Sequence, residues 1–264
     1  MLKAGIFLDV ENLNRNGGWG LRYEVIKELA EVQGTTVLRA NAYLAMDSER
    51  EKIDQAYRDR NESYRAAIRR TGFHLVLKQV KKYYDSEGEL VVKANADLDL
   101  AVDALLQSEN LDYILLGSGD GDFLKLVRAL QTRGKRVDLI SFANTSSELK
   151  IEVDNYFSGF LVPGILKDSN VQKFRGILHA FNEERGFGFL TMRTGLKPSD
   201  IIDNIFCHVN QFNLEGRQAD NSYISELKSK RAIIEFDLVE SKDGLKAVNI
   251  SEFKWNKNLT QILC

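Results

Sequence analysis

An α/β domain on a mostly parallel sheet with helices on both faces, followed by a small all-β barrel, is the fold class predicted by this 264-residue sequence. Two observations carry the prediction. Up to about residue 155 short apolar runs alternate with longer amphipathic stretches, whereas beyond Pro163-Gly164 only short strand-like segments remain, broken by turn residues. The charge balance shifts at the same place: residues 1–168 hold 23 Lys and Arg against 26 Asp and Glu, and residues 169–264 hold 13 against 12. The expected domains are therefore 1–164 and 171–264, with the boundary in 163–170.

Residues 4–10, 36–44, 73–77, 113–116 and 136–142 are apolar runs of strand length and are expected to be buried strands. Between them, 23–32, 48–70, 97–107, 121–132 and 146–156 carry apolar residues at helical spacing, as Leu100, Ala101, Ala104 and Leu105 do. The stretch 78–93 interrupts the alternation, and Tyr83-Tyr84-Asp85-Ser86-Glu87-Gly88 reads as a hairpin turn. In the second part, 175–181, 187–192, 204–208, 232–240 and 245–253 are strand candidates separated by Gly-containing turns. Five is the strand number of the oligonucleotide-binding barrel.

A composition 44% hydrophobic and 28% charged, with net charge -2 and 2 Pro, excludes disorder and collagen-like repeats. Cys207 and Cys264 lack the paired spacing of a zinc site or a disulfide framework, so a reduced, cytoplasmic setting is expected. The sequence holds no apolar run of about 20 residues and no signal-peptide layout, so no membrane association is expected. The apolar stretch 259–264 can pack on either domain or on a partner, and homo-oligomer formation is left open.

In an open α/β sheet, ligands bind outside the carboxyl ends of the strands, so acids there are informative. Asp9 ends the first strand, Asp97 opens a helix, and Asp120 and Asp122 follow the strand at 113–116 in Gly117-Ser118-Gly119-Asp120-Gly121-Asp122-Phe123. Gathered at one sheet edge, these carboxylates cannot all stay ionised without a cation. Mg²⁺ or Mn²⁺ suits such oxygen ligands and supports phosphodiester hydrolysis. Plainer roles exist: Asp97 as an N-cap, Asp120-Gly121-Asp122 as a turn, Asp99 on a solvated face and Asp103 as a support of the site. The glycines at 117, 119 and 121 do not make a dinucleotide fingerprint, because its third glycine would fall on Asp122.

Asp9-Val10-Glu11-Asn12 resembles the D-x-x-N opening of NYN domains, the LabA-like branch of the PIN-like nuclease superfamily. Ser118-Gly119-Asp120-Gly121-Asp122-Phe123 is similar to that family's S-G-D-G-D-F, and Asp97 with Leu100, Ala101 and Asp103 to its central D-x-x-L-A-x-D helix. Ser146, Leu149, Val153 and Asp154 resemble its closing segment. The resemblance implies a PIN-like Rossmannoid fold and Mg²⁺-dependent endoribonuclease chemistry. Asp9, Asp97, Asp120 and Asp122 would bind metal directly or through water, and Asn12 would orient Asp9 or the scissile phosphate. One departure is Ala94-Asn95-Ala96-Asp97, where the family often has K-G-V-D.

Arg58, Arg65, Arg69, Arg70, Lys78, Lys81 and Lys82, beside Tyr83-Tyr84, form either a backbone-binding track for nucleic acid or a solvated face. Trp19 is either a loop over the site or a packed aromatic. In the second part, aromatics at alternate positions project to one face, and the glycines between them leave a flat surface for stacked bases, with Arg185 near the phosphates. Arg185-Gly186-Phe187-Gly188-Phe189-Leu190 and Phe206 with His208 resemble the strands of a cold-shock domain. That resemblance implies Phe181, Phe187, Phe189, Phe206 and His208 as stacking residues; His179 and Ala180 stand where the family has a basic residue and an indole. The expected partner is single-stranded RNA, with DNA as the rival substrate. A rival function is an RNA-binding regulator with an inactive acidic site.

Overall fold

The apolar run that ends on Asp9 forms the central strand of a six-stranded sheet in the computed structural model, which describes residues 1–84, 90–93, 96–167, 173–214, 217–242 and 244–256. The chain divides into two units, the first ending at Gly159 and the second beginning at Phe160, a few residues before the 163–170 stretch. The expected turn tip at 85–88, residues 168–170 of the expected boundary, the stretch 259–264 and Cys264 lie outside the described residues.

The first unit runs β1 (Leu2–Asp9), α1 (Val10–Arg15), α2 (Tyr23–Glu31), β2 (Thr35–Met46), α3 (Ser48–Ile53), α4 (Gln55–Arg70) and β3 (His74–Gln79). It continues with β4 (Lys81–Tyr84), β5 (Leu90–Lys93), α5 (Asp97–Gln107), β6 (Tyr113–Gly117), α6 (Leu124–Thr132), β7 (Arg136–Ser141), α7 (Ser147–Glu152) and β8 (Asn155–Ser158). The sheet order is β3-β2-β1-β6-β7-β8, every pair parallel. β1 and β6 are apolar on both faces because both are covered: Phe7 and Leu116 pack with Leu100, Ala104, Leu126 and Leu130 of α5 and α6. The alternate residues Ile6 and Leu8 point to the other face, where α2 buries Ile26, Leu29 and Ala30. From β1 the chain crosses to β2 and β3 on one side and later returns to β6, β7 and β8 on the other. The strand order therefore reverses between β1 and β6, where open sheets of this type bind ligands.

Two expected helices differ. The stretch 48–70 breaks at Asp54, whose extended backbone (φ -118°, ψ 95°) ends α3 and whose carboxylate accepts the Tyr57 N–H at 2.9 Å to cap α4. The stretch 146–156 is helical only through Glu152. Beyond it the Asp154 carboxylate accepts the Val137 N–H at 2.7 Å, the Asp154 N–H bonds the Val137 carbonyl, and the chain joins the sheet as β8.

The second unit is a closed barrel of β9 (Phe174–Asn182), β10 (Phe187–Arg193), β11 (Ile201–His208), β14 (Ile233–Ser241) and β15 (Gly244–Glu252), in the order β10-β11-β15-β14-β9. Between β11 and β14 lie the short β12 (Asn213–Leu214) and β13 (Arg217–Gln218) and a helix, α8 (Asn221–Ser229). The helix corrects the expectation of strands alone. Asp220 caps it by accepting the Tyr223 N–H at 2.7 Å, and Ile224 and Leu227, three apart on one face, are buried with Leu190, Ile205, Ile234 and Phe236 in the barrel core. Phe160 belongs with this unit: its ring lies 4.8 Å from that of Phe253, over which the Arg175 guanidinium sits at 3.9 Å. Among the described residues no helix is long and apolar enough to cross a membrane.

Candidate catalytic centre and aromatic surface

Asp9 stands at the carboxyl end of β1, 6% exposed. One carboxylate oxygen accepts the Asn12 N–H at 3.0 Å, which caps α1, and the other accepts the Ser118 hydroxyl at 3.2 Å. Ser118, fully buried just past β6, also takes the Asp120 N–H on its Oγ at 3.2 Å, so one hydroxyl ties Asp9 to the Asp120 turn. Asp120 in turn accepts the Asp122 N–H at 3.0 Å.

The asparagine side chain does something else. Asn12 Oδ1 accepts the Gly119 N–H at 2.8 Å, and Gly119 O accepts the Ser146 N–H at 2.9 Å. Gly119 is tightly placed, since a Cβ there would lie 3.2 Å from the Thr145 Cα and require the neighbouring chain to shift. Asn16 Nδ2 donates to the Asn12 carbonyl at 2.8 Å, and Asn144, in the left-handed region at φ 53°, donates to Asn16 Oδ1 at 3.0 Å. The loops after β1, β6 and β7 are thereby fastened to one another at the reversal of strand order.

Burial pushes the Asp9 carboxyl up to about 6; the Asn12 N–H and Ser118 oppose the rise, and the nearby charges of Asp97 and Glu11 add to it. Asp97 is thus close enough to repel Asp9. It opens α5 but does not cap it: the cap position is Ala96, with no side-chain bond to the helix end. Asp97 and Asp122 line one groove between α5 and α6. Asp9, Asn12, Asp97, Asp120 and Asp122 therefore lie along one edge of the sheet. Among the described residues, no three His, Cys, Asp or Glu side chains are gathered closely enough to hold an ion as they stand.

Asp99 is not on a purely solvated face, because Lys78 Nζ donates to it at 2.7 Å; Asp103 accepts the Tyr43 hydroxyl at 2.8 Å. Arg65 leaves the expected basic track: it is buried and pairs with Glu51 at 2.5 Å. Arg58 lies 3.9 Å from Glu62. The side chains of Lys81, Lys82, Tyr83 and Tyr84 lie outside the description. Trp19 is 42% exposed. Sequence reasoning missed Ser118 as the link between Asp9 and Asp120, and Glu11 as a further carboxylate beside Asp9. A serine directly after a buried strand and between two glycines was the available signal.

On the barrel, Phe187 pairs across the strands with His208 and Phe189 with Phe206, so the four share one outward face. The Phe187 and Phe206 rings stack at 5.8 Å and 24°, and Phe189 meets each of them edge-on at 6.1 Å. All four are half-buried, while Gly188, Leu190, Ile205 and Cys207 alternate with them inward. Burial raises the Cys207 thiol to about 12. Phe181 stands apart from the aromatic row: it pairs with the inward Gly188 and packs against the barrel core. Gly188 leaves space beside the Phe181 ring, since a Cβ there would lie 3.1 Å from it and would also run into the Ala180 carbonyl oxygen. Arg185 is exposed in the turn ahead of β10.

Comparison with known proteins places the first unit. Over 96 residues, 35% of this chain, the sequence is 27% identical to the low amplitude and bright protein LabA of Synechococcus elongatus. That match covers 52% of LabA, so the chain spans about half the length of the curated relative it matches. A solved structure of a protein of unknown function from Vibrio parahaemolyticus is 26% identical and aligns over 60% of this chain and 92% of its own, with a TM-score of 0.49. Residues 3–163, more than half of the chain and the stretch that holds all five residues of the acidic edge, match the NYN domain, and the chain belongs to the NYN domain family.

Proposed function

We propose that this protein is a divalent-metal-dependent endoribonuclease that hydrolyses phosphodiester bonds of single-stranded RNA, with the barrel, of cold-shock type, holding the strand. The observation that carries the reading is that Asp9, where the strand order reverses, is tied through Ser118 to the Asp120 turn and lies within electrostatic reach of Asp97, with Asp9 buried and its ionised form disfavoured. NYN domains are generally nucleases, which gives this acidic edge its reaction class.

The donor set fits Mg²⁺ or Mn²⁺. Carboxylate oxygens are the ligands such ions select, and two carboxylates that repel each other are relieved by a cation between them. Mg²⁺ is commonly bound through one or two carboxylates and keeps several waters, which suits an edge where no three ligands are gathered. We assign Asp9 and Asp97 to the ion, and Asp120 and Asp122 to it through water. Bound there, a divalent ion supplies Lewis-acid chemistry, acidifying a water and offsetting charge on a phosphoryl oxygen. The chain's own residues keep that arrangement in place. The Asn12 N–H and the Ser118 hydroxyl fix both oxygens of Asp9, and the Asn12 side chain holds Gly119 so that the Asp120 turn cannot drift. On the barrel, Phe187, Phe189, Phe206 and His208 offer ring faces to bases, and Arg185 a charge to phosphate.

The test is cleavage of a labelled single-stranded RNA with Mg²⁺ or Mn²⁺ by the wild type, Asp9→Asn and Asp120→Asn. Metal-dependent fragments are expected, reduced by about 100-fold or more in the variants while RNA still shifts on a gel. RNA that is bound but left intact by the wild type would overturn the catalytic reading in favour of an RNA-binding regulator. Cleavage of matched DNA instead would make the protein a deoxyribonuclease.

A further inference from the structure

The groove between α5 and α6, about 420 Å³ in volume, has a use beyond carrying Asp97 and Asp122. Leu98, Ala101 and Leu105 recur on one face of α5, and Leu126 and Ala129 on the facing side of α6, so both walls are apolar. The buried Phe123 closes the floor, and the two alanines leave the space open. Asp97 and Asp122 stand at the end where both helices begin. Leu105 lies roughly 12 Å further along. Lys125 lines the rim and is exposed.

We propose that this groove seats the nucleobase adjoining the scissile phosphate, gripped by apolar contact without hydrogen bonds to the base edge. The proposal rests on the nuclease reading above. Its volume lies in the range of small-ligand pockets, roughly 300–1,000 Å³, and its length is only about two helical turns, short for a docked protein helix. A nucleotide matches the distribution of chemistry: the apolar walls take the base, the acidic end takes the phosphate once a cation offsets the carboxylates, and Lys125 draws the neighbouring phosphate. Walls without donors or acceptors tolerate any base but require that one be present.

Single-stranded RNA carrying one 4-thiouridine, photo-crosslinked to the full chain and mapped by mass spectrometry, tests this directly. Cross-links are expected within residues 98–105 or 123–129. Ala101→Trp, which fills the groove, should remove them and raise KM about 10-fold with little change in kcat. An abasic site next to the cleaved bond should do the same. Should the tryptophan variant lose its wild-type circular dichroism, Lys125→Glu on the exposed rim takes its place, with the same expected rise in KM. Cross-links found only elsewhere, with Ala101→Trp cleaving as the wild type does, would overturn the subsite and leave the nuclease standing. Cross-links in the groove without cleavage of any RNA would sink the nuclease, and with it a base seated beside a scissile phosphate. If groove substitutions alter self-association and leave RNA contacts unchanged, the groove is a protein interface and the proposal fails.

Discussion

At Asp9 the fold holds a charge where it is costly. Burial raises this carboxyl from 3.8 to about 6 in the folded chain. Between those values the unfolded chain has released its proton and the folded chain has kept it, so the metal-free protein loses stability as pH rises through that window. Above about pH 6 the loss levels off, at about 3 kcal/mol from a shift of this size. Asp9→Asn keeps the shape and removes the charge. In chelator at pH 7 the variant is therefore expected to be more stable than the wild type by about 2 kcal/mol in urea denaturation, and the gap should close towards pH 4. A gap of the same size at both values would show that the aspartate's charge is not what strains the site. Such a result would also remove the electrostatic reason for a cation beside Asp9 and Asp97. The same position explains why the sequence pointed here at all: an acid closing a strand that is otherwise buried and apolar from Ala4 onward adds nothing to the apolar packing.

Elements were legible where burial writes a continuous signal and obscure where a single capping residue decides. β1 and β6 read directly as unbroken apolar runs because both of their faces are covered. The break between α3 and α4 was hidden, since Asp54 sits in a stretch of charged residues whose spacing is helical on both sides of it, and only its backbone and cap bond end one helix and begin the next. β8 was absorbed into α7 for a related reason: four residues are too few for a periodicity, and what turns the chain is the long-range bond from Val137 N–H to Asp154. The cap makes a prediction at this scale. Asp54→Ala should cost about 1 kcal/mol of stability in denaturant unfolding, and Asp54→Asn much less, because the amide oxygen can still accept the Tyr57 N–H. Equal losses in the two variants would mean that the paired charge of Arg50, 3.9 Å away, matters more than the cap.

Across the whole molecule, the placement of the acids along one edge was legible in the sequence, and the way that edge is assembled was not. The acids of the first unit fall in the chain order that a parallel sheet brings to one edge, but the bonds that fasten its loops, Asn12 to Gly119 and Asn144 to Asn16, join residues more than a hundred positions apart and leave no local pattern. The barrel shows the converse. Alternation along β10 and β11 foretold which rings face outward, yet it also enrolled Phe181, which the pairing with Gly188 turns towards the core. On the proposed reading, two units on one chain would convert a weak grip by the barrel into a high effective concentration of RNA for the acidic edge. This coupling has a separable signature. Replacing Phe189 and Phe206 by alanine removes two stacking faces, each worth roughly 1–3 kcal/mol, so RNA affinity should fall by at least about 10-fold and KM should rise with it. At saturating RNA the carboxylates are untouched, and kcat should stay near the wild-type value. A loss of kcat with KM unchanged would place the aromatic row in the chemistry and not in substrate capture. Unchanged binding and cleavage would mean that Phe187, Phe189 and Phe206 stack only on one another, as they do in the free barrel, and that the strand is held by the first unit alone.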